Sequence, residues 1–366
     1  MKQDRFLLKY FVWIISLIPF ACTLPNEPEI PDVYAAVETD PVQAAEGDDS
    51  ADDPAIWVNR YDPTKSLVYG SNKRFGIEVF DLAGKKRYTY EVGYVNNIDI
   101  LYEFPLNDST TVDLLAGTEQ SKNQILVFTI NSDNGSLTEI SGGIKSVQHQ
   151  VYGFCLYTNN TRDTFYAFLN DKSGRIEQWE LLPFGRDSIK GELTRTLEVR
   201  SQPEGMVANT RSGTLYVGEE NRGIWAFDLE AKAEVSPTFI AMSGRENPAI
   251  RFDIEGLAIY ETPVEQYLIA SSQGNNSYAV FGTTEGYPYL GSFRIGSGES
   301  IDGTEDTDGI DVVSTNLGAP FSSGLFVAQD GLNQTVEGRH TTQNFKYLPW
   351  EEVQKLFESA STPHDL

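Results

Sequence analysis

The sequence predicts an all-β protein, a six-bladed β-propeller that follows an N-terminal signal and tether segment. The first observation is composition: 18 Tyr, 20 Phe and 31 Gly in 366 residues indicate many short strands and turns. The second is a weak repeat of about 50 residues, found six times, with each unit long enough for four strands. The third is the scarcity of helical patterns. A β-helix or a pair of β-sandwiches is the competing fold, and its repeats would be shorter or less even.

The N-terminus has the pattern of an export signal. Basic residues at Lys2, Arg5 and Lys9 precede an uncharged apolar run at 10–21. This run is too short to span a bilayer and has the length of a signal-peptide core. We therefore expect an exported protein, either secreted or attached by lipid to the bacterial cell envelope.

Cys22 follows the apolar run directly, as in bacterial lipoprotein signals, although Pro19 stands where an aliphatic residue is usual. We expect a signal peptide at 1–22, of the lipoprotein type if Cys22 is lipidated, and a proline-rich linker at 23–36. Contact with a membrane would then be limited to the lipid on Cys22. Cys155 is the second of only two cysteines, so the sequence offers no disulfide framework.

The repeat is built on six short apolar strands that end in a small or polar residue. Their last residues lie 47 to 58 positions apart, at Gly70, Gly117, Asn170, Gly218, Ala270 and Ala328. A second strand with alternating polarity follows each, at 76–82, 124–128, 175–181, 223–229, 277–281 and 344–348. We interpret the apolar strands as the inner ones around the axis. The loops after them should then open near the channel on one face and carry the functional residues.

One α-helix is predicted after the last repeat. Residues 350–358 carry apolar side chains at i, i+3, i+4 and i+7. We expect this helix to lie outside the blades, at the end of the propeller domain that is predicted to span 37–358.

An acidic stretch at 302–311 holds five carboxylates in ten residues. Two carboxylates about 5 Å apart repel by about 3 kcal/mol at an effective dielectric constant near 20. The stretch is therefore either a solvated turn or part of a cleft that holds a cation. Hard oxygen ligands suit calcium or magnesium rather than zinc or copper. Further acids next to glycine or proline fall in corresponding loops of other repeats, which favours a shared metal cluster at the channel mouth.

The charge balance limits the function. There are 28 Lys and Arg against 53 Asp and Glu, a formal net charge of −25. Nucleic acid is excluded as a partner, because a phosphate backbone needs a basic face. A polyanionic substrate is compatible only if metal ions reverse the local field. The motifs of histidine and cysteine phosphatases and of phosphate-binding glycine-rich loops do not fit the sequence around His340 or Cys155, or elsewhere.

Eight segments in order along the chain resemble the β-propeller phytases, bacterial calcium-dependent enzymes that remove phosphate from phytate, inositol hexakisphosphate. They are ADDPAIW at 51–57, NNID at 96–99, VYGF at 151–154, EGM at 204–206, DIEGL at 253–257, ASSQGN at 270–275, DGT at 302–304 with DTDGID at 306–311, and LFVAQDG at 325–331. The resemblance runs from about residue 37 to 351. It implies a six-bladed propeller, which agrees with the repeat, and an acidic channel mouth that binds several calcium ions.

The resemblance also implies roles for individual residues. The implied calcium ligands are Glu38, Asp52, Asp53, Asn96, the carbonyl of Ile98, Glu204, Asp253, Glu255, Asp302 and Asp308. Catalytic roles are implied for Lys73, Tyr152, Lys172, Glu204, Glu220, Glu255 and Asp308, and phosphate binding for Lys73, Arg74, Tyr152 and Lys172. From the residues alone, a core position for Tyr152 between Val151 and Phe154 is the open alternative. The implied chemistry is in-line attack on phosphorus by a water held between calcium ions.

Three positions depart from the family pattern. Gln120 and Leu101 stand where arginines are expected, and Ser173 where an acid is usual. Lost phosphate contacts could weaken binding or change which inositol phosphate is preferred. Compensation by Arg74, Arg175 or Lys122 is an open alternative.

The sequence therefore predicts a monomeric 3-phytase, a calcium-dependent phosphomonoesterase that acts on phytate, bound as its calcium complex. One alternative is a calcium-dependent propeller hydrolase of the lactonase type, which needs one or two central ions rather than a cluster. The other is a non-catalytic cell-surface propeller that uses calcium only for binding or stability.

Overall fold

The computed structural model describes residues 28–45, 47–148, 150–159, 161–231, 236–335 and 337–361. The predicted signal peptide, Cys22 and the start of the predicted linker lie outside these residues. The regular secondary structure of the described chain is almost entirely β-strand, with one α-helix, α1 (Trp350–Ser361), and short 3-10 helices at Pro63–Lys65, Ala241–Ser243 and Gln273–Asn275. None of its helices has the length and apolar character needed to span a membrane.

The strands form six sheets, one for each blade of a six-bladed β-propeller, as the sequence predicted, and all strand pairs within them are antiparallel except that of β1 with β23. Blades 1 and 2 contain β3 (Ala51–Trp57), β4 (Leu67–Asn72), β5 (Gly76–Asp81) and β6 (Lys86–Glu91), then β7 (Val95–Asn107), β8 (Thr110–Glu119), β9 (Gln124–Ile130), β10 (Leu137–Glu139) and β11 (Ile144–Lys145). Blades 3 and 4 contain β12 (Val151–Thr158), β13 (Phe165–Asp171), β14 (Arg175–Phe184) and β15 (Ser188–Glu198), then β16 (Pro203–Asn209), β17 (Thr214–Glu219), β18 (Gly223–Asp228) and β19 (Thr238–Phe239). Blades 5 and 6 contain β20 (Ile254–Glu261), β21 (Gln266–Ser272), β22 (Ser277–Gly282) and β23 (Tyr289–Ile295), then β24 (Ile310–Val313), β25 (Leu325–Asp330) and β26 (Asn344–Pro349).

The N-terminal segment completes the last two blades. The strand β1 (Asp32–Val33), within the predicted linker, pairs in parallel with β23 at the outer edge of blade 5. The strand β2 (Val37–Glu38) pairs antiparallel with β26 and supplies the outermost strand of blade 6. The ring is therefore closed by strands from both ends of the domain.

The innermost strands differ from those the sequence predicted. The strands around the axis are β3, β7, β12, β16, β20 and β24, each of which contacts the first strand of the next blade. The six apolar strands that end at Gly70, Gly117, Asn170, Gly218, Ala270 and Ala328 are the second strands of their blades. The prediction was wrong because it ranked strands by apolar content. The strands at the axis carry buried polar residues such as Asp52 and Asp53, which face the channel.

The hydrophobic core is divided among the interfaces between blades. Six buried apolar clusters each join two neighbouring blades, including one between blades 6 and 1. Alternate residues of one strand serve two interfaces: Trp57 packs toward blade 2 and Ile56 toward blade 6. The helix α1 buries Trp350 and Val353 against blades 5 and 6. A single blade would leave both of its apolar faces exposed, so the ring is the stable unit.

Candidate active site at the channel mouth

The candidate site residues lie in β-bulges, where they are left out of the regular strand pairing. The pairing of the first with the second strand shifts register after Ala51, Val95, Val151, Pro203 and Ile254 in blades 1 to 5. The residues left out of the ladder include Asp52 and Asp53, Asn96 and Asn97, Tyr152, Glu204 and Glu255. A bulge bends its strand and redirects the side chains it contains. The five bulges lie at the same end of the innermost strands, so these side chains converge at one mouth of the channel.

Glycines allow neighbouring bulges to approach closely. A Cβ at Gly153 would lie 2.0 Å from the carbonyl oxygen of Glu204, and one at Gly205 would lie 2.1 Å from that of Glu255. A Cβ at Gly256 would lie 2.6 Å from the carbonyl oxygen of Asp308. Real Cβ atoms do not come this close. In the sequence, these positions are recognised by a candidate site residue followed by glycine: Tyr152-Gly153, Glu204-Gly205 and Glu255-Gly256.

Three glutamates form the centre of the site. Glu204, Glu220 and Glu255 are all buried, and each offers a carboxylate oxygen within 4.8 Å of the others. Asn96 donates from Nδ2 to Oε1 of Glu204 at 3.1 Å, and Gln202 donates to Oε1 of Glu220 at 2.5 Å. The three carboxylates belong to blades 4 and 5 and could hold a metal ion together.

A lysine joins the acids of blades 1 and 6. Nζ of Lys73, directly after β4, lies 2.8 Å from Asp308, 3.1 Å from Asp52 and 3.1 Å from Asp49. Gln273 donates from Nε2 to the other oxygen of Asp308 at 2.8 Å. Lys73 is thus held by carboxylates on both sides of the boundary between the last and first blades.

Lys172 lies over the ring of Tyr152, with its ammonium 4.0 Å from the ring centroid. This distance is typical of a cation–π contact. Lys172 and Arg74 are both exposed, and each follows the second strand of its blade, as Lys73 does. The loops after the second strands therefore bring cations to the rim of an otherwise acidic mouth.

The pKa values of the carboxyl groups at the mouth are raised, because these groups are buried close to one another. Burial raises the pKa of Glu220 to about 7 and that of Asp308 to about 6, and it raises the pKa of Asp52 and Glu255 well above the usual range. The neighbouring Glu204 adds to the rise at all four positions. Burial lowers the pKa of Lys73, but Asp52, Asp308 and Asp49 outweigh this effect and raise it. A divalent cation would favour the charged form of every one of these carboxyl groups.

The donor set fits a hard metal ion. Oδ2 of Asp52 and Oε2 of Glu255 are buried and have no hydrogen-bond partner among the described residues. An unpaired buried carboxylate oxygen is costly, and coordination to a cation removes that cost. All the candidate ligands are oxygen atoms, the type that calcium and magnesium prefer. Asp52, Asn96, Glu204, Glu255 and Asp308 would hold such ions at the mouth.

Other predicted ligands lie beside or below this cluster. Asp53 accepts a hydrogen bond at Oδ2 from the backbone N–H of Ile98 at 3.1 Å, which links blade 1 to blade 2. Asp53 also lines a cavity of about 40 Å³ in the channel, together with Asp99 and Asp311. Asp253 is half-buried, and its backbone carbonyl accepts a hydrogen bond from the N–H of Gln273 at 3.0 Å.

Two predicted ligands form a separate cluster. Glu38 and Asp302 both contact the buried ammonium of Lys346, where β2 closes the ring. Their oxygens are of the right type for calcium, but a metal ion would have to share them with this lysine.

Three glutamine side chains at the mouth were not predicted as site residues. Gln202 and Gln273 hold Glu220 and Asp308, and Gln120 donates to Oδ1 of Asn96 at 3.0 Å. Gln202 and Gln273 lie inside or beside the motif segments that the sequence already marked. Their role could not be read from the sequence, since an uncharged amide gives no signal by itself.

The other two departures from the family pattern lie elsewhere. Leu101 is buried in the core between blades 2 and 3. Ser173 is exposed and donates from Oγ to Asp171 in the turn after β13. Cys155 is a buried free thiol in blade 3.

The fold and site together define a six-bladed propeller with a metal-binding carboxylate cluster at the channel mouth. The sequence model of the Phytase family matches residues 15–365. The chain is 42% identical over 334 residues to the 3-phytase of Bacillus subtilis strain 168, a match that covers 90% of this chain and 86% of that protein. The chain belongs to the phytase family, as the motif segments predicted.

Solved structures were matched at lower similarity. A chain of the mitotic checkpoint complex matches with 13% identity and a TM-score of 0.47, over 93% of this chain and 99% of that one. A protein of unknown function from Desulfotomaculum acetoxidans matches with 16% identity and a TM-score of 0.44, over 69% and 74%.

Proposed function

We propose that the protein is a 3-phytase that hydrolyses the phosphate monoesters of phytate and depends on calcium. The observation that carries the proposal is the 42% identity with a 3-phytase over nearly the whole of both chains. The cluster of Glu204, Glu220 and Glu255 supports a metal requirement. A net charge of −25 would repel phytate unless cations occupied that cluster.

Calcium ions bound among the mouth carboxylates supply Lewis-acid charge to the phosphate and make a bound water more acidic. The protein's own groups perform the remaining tasks. Lys172, exposed over Tyr152, and Arg74 hold phosphate groups of the substrate that are not reacting. Lys73 balances Asp52 and Asp308 and adds a positive charge beside the reacting phosphate.

Proton control rests on Glu220 and Tyr152. Burial raises the pKa of Glu220 to about 7 without metal, and a cation bound to the neighbouring glutamates would lower it again, so Glu220 would be a carboxylate able to accept a proton. Burial and the neighbouring Glu204 raise the pKa of Tyr152, so its hydroxyl stays protonated and can donate a hydrogen bond. Gln202 fixes the carboxyl group of Glu220 in one orientation.

We infer that the protein is exported, that the propeller acts as a monomer, and that a lipid on Cys22 is its single link to a membrane. The signal pattern at 1–22 supports export, and the one propeller domain supports action as a monomer.

The test is phosphate release from phytate by the purified protein, with added calcium and with excess chelator. We expect release that requires calcium and stops when it is removed. A lactone substrate assayed in parallel would identify the lactonase alternative. Calcium binding without turnover of either substrate would identify a non-catalytic calcium-binding propeller.

A further inference from the structure

A buried ammonium lies in a cage of oxygen atoms where the propeller ring closes. The side chain of Lys346 on β26 is 0% exposed, and its Nζ is 2.6 Å from Oε2 of Glu38 and 3.2 Å from Oδ1 of Asn333. It also donates to Oδ1 of Asp302 and lies 3.3 Å from Oδ2 of Asp330. One lysine therefore faces three carboxylates and an amide oxygen.

The oxygen donors come from separate segments around blade 6. Glu38 belongs to β2 and is the cross-strand neighbour of Lys346 in the pairing of β2 with β26. Asp302 lies in the loop between β23 and β24, Asp330 ends β25, and Asn333 follows it. The ammonium thus ties the N-terminal closing strand to the body of the blade that this strand completes.

The cage holds more negative than positive charge. Three carboxylates face one ammonium, which leaves a formal excess of two negative charges. Asp330 is 0% exposed, and its Oδ2 has only the ion pair with Lys346 and no hydrogen bond among the described residues. Glu38 and Asp302 are 34% and 17% exposed, so the excess charge lies on the open side of the cage.

We propose that Lys346 is an internal counter-cation that keeps the ring closed without metal and competes with a divalent ion for Glu38 and Asp302. A buried lysine is stable only when it is paired, and a buried carboxylate likewise. When a divalent ion binds the two exposed carboxylates, the ammonium keeps Asp330 and Asn333 as its partners. Two positive charges then match the two excess negative charges of the cage.

The inference concerns closure of the ring and does not rest on the reaction proposed for the channel mouth. It predicts that β2 stays paired with β26 in excess chelator, because the ammonium is still present. It also predicts that the cage binds calcium more weakly than the same oxygens would without the lysine.

The test is hydrogen exchange of the β2 segment in wild type and in the variant Lys346→Met, with chelator and with calcium. Methionine has nearly the length of lysine but no charge, so three carboxylates would be left without a counter-ion. In chelator, we expect the amides of Ala36 and Thr39, which bond to Tyr347 and Phe345, to exchange at least about tenfold faster in the variant. Calcium should restore the protection of these two amides in the variant but should change their exchange little in the wild type, where the ammonium already protects them.

The control is Lys355→Met, which removes an exposed lysine paired with Glu352 on α1 and should leave exchange at β2 unchanged. If Lys346→Met does not fold in chelator, the part-exposed Glu38→Gln gives a second test. It should need more calcium for the same thermal shift while β2 stays protected in chelator. Rapid exchange of β2 in the wild type in chelator, or the same calcium dependence in wild type and both cage variants, would overturn the proposal.

Discussion

At the scale of single residues, the mouth carboxylates differ in the partners that hold them. Asp308 accepts from both Lys73 and Gln273, whereas Oε2 of Glu255 has no hydrogen-bond partner among the described residues. Glu255 would therefore gain from a metal ion, as would Asp52, whose Oδ2 also has no hydrogen-bond partner among the described residues. The charge of Glu255, rather than its shape, is what the proposed function needs.

Glu255→Gln should lower kcat for phytate by about 100-fold or more, because it removes one charge from the metal-binding cluster and nearly preserves side-chain shape. The measurement is phosphate release at saturating calcium, with a thermal unfolding curve to confirm folding. The matched control is Glu261→Gln at the other end of β20, where the carboxylate is exposed and pairs with Arg211. Near-normal turnover in Glu255→Gln would remove this residue from the active site.

Lys172→Ala should raise KM for phytate about tenfold, the effect of losing one charge-assisted hydrogen bond to phosphate.

Lys73→Ala should also lower kcat, because Lys73 contacts Asp52 and Asp308 beside the glutamate cluster. Calcium affinity should stay the same or increase in both variants, since a repelling cation has been removed. Lys145→Ala, on an exposed lysine of β11, is the control. Wild-type kinetics in a Lys73 and Lys172 double variant would contradict the phosphate-binding role of both lysines.

Much of the site could be predicted from residue types and motifs, because carboxylates and lysines next to glycine or proline are rare inside a core. The family resemblance named all the acids that the bulges bring together. It could not reveal the cage around Lys346, because Lys346 and Glu38 are 308 positions apart in sequence and meet only through strand pairing. The supporting role of Gln273 was equally hidden, since it depends on the position of Asp308.

At the scale of elements, the bulge and the glycine after it are the unit that builds the site. The repeat spacing predicted six blades, but it could not show which strand lies at the axis. Apolar content favours the second strands, because those are covered on both faces by neighbouring blades. The innermost strands face the channel as well and therefore carry buried polar residues such as Asp53 and Asn96.

Gly205→Ala should lower the free energy of unfolding by about 1–3 kcal/mol, because the new Cβ would lie 2.1 Å from the carbonyl oxygen of Glu255. Turnover should fall as well, since the bulges that hold Glu204 and Glu255 would have to move apart. Denaturant unfolding and phosphate release measure the two effects. Gly298→Ala, where the nearest atom would be 3.5 Å away, should change neither. A fully stable and active Gly205→Ala variant would contradict the close approach of the strands.

Half-buried aspartates also link neighbouring blades. Asp311 accepts from the backbone N–H of Ile56 at 2.7 Å, and Asp99 accepts from that of Leu156 at 2.7 Å. Burial raises the pKa of Asp311 from 3.8 to about 7. The folded protein thus binds this proton more tightly than the unfolded chain does. Its contribution to stability is complete below about pH 4 and is lost as the pH rises through 7.

Asp311→Asn should therefore flatten the pH dependence of stability. In excess chelator, the wild-type melting temperature should fall between pH 5 and pH 8 more steeply than that of the variant, by several degrees. Thermal unfolding at a series of pH values measures the difference, with the exposed Asp187→Asn as the control. Parallel curves for wild type and Asp311→Asn would show that this carboxyl group does not titrate in that range.

At the scale of the whole molecule, the ring explains why so large a negative charge is tolerated. Six apolar interfaces between blades stabilise the fold, and a buried group of the acids, including Glu204, Glu220 and Glu255, is gathered at one mouth where a cation could neutralise it. Removal of metal should therefore lower the melting temperature without abolishing the fold, because ions bound only by the folded state stabilise it by mass action. An unchanged melting curve in excess chelator would contradict a stabilising role for bound metal.

In the proposed function, calcium bound at the channel mouth is required for this acidic propeller to bind and hydrolyse a polyanionic substrate. The most direct measurement is phosphate release from phytate by chelator-treated protein as calcium is added back, with Glu255→Gln beside the wild type. We predict no release without calcium, a rise to full activity with calcium in the wild type, and less than about 1% of that activity in the variant at saturating calcium. Phosphate release that persists in excess chelator, or no release at any calcium concentration, would contradict the account.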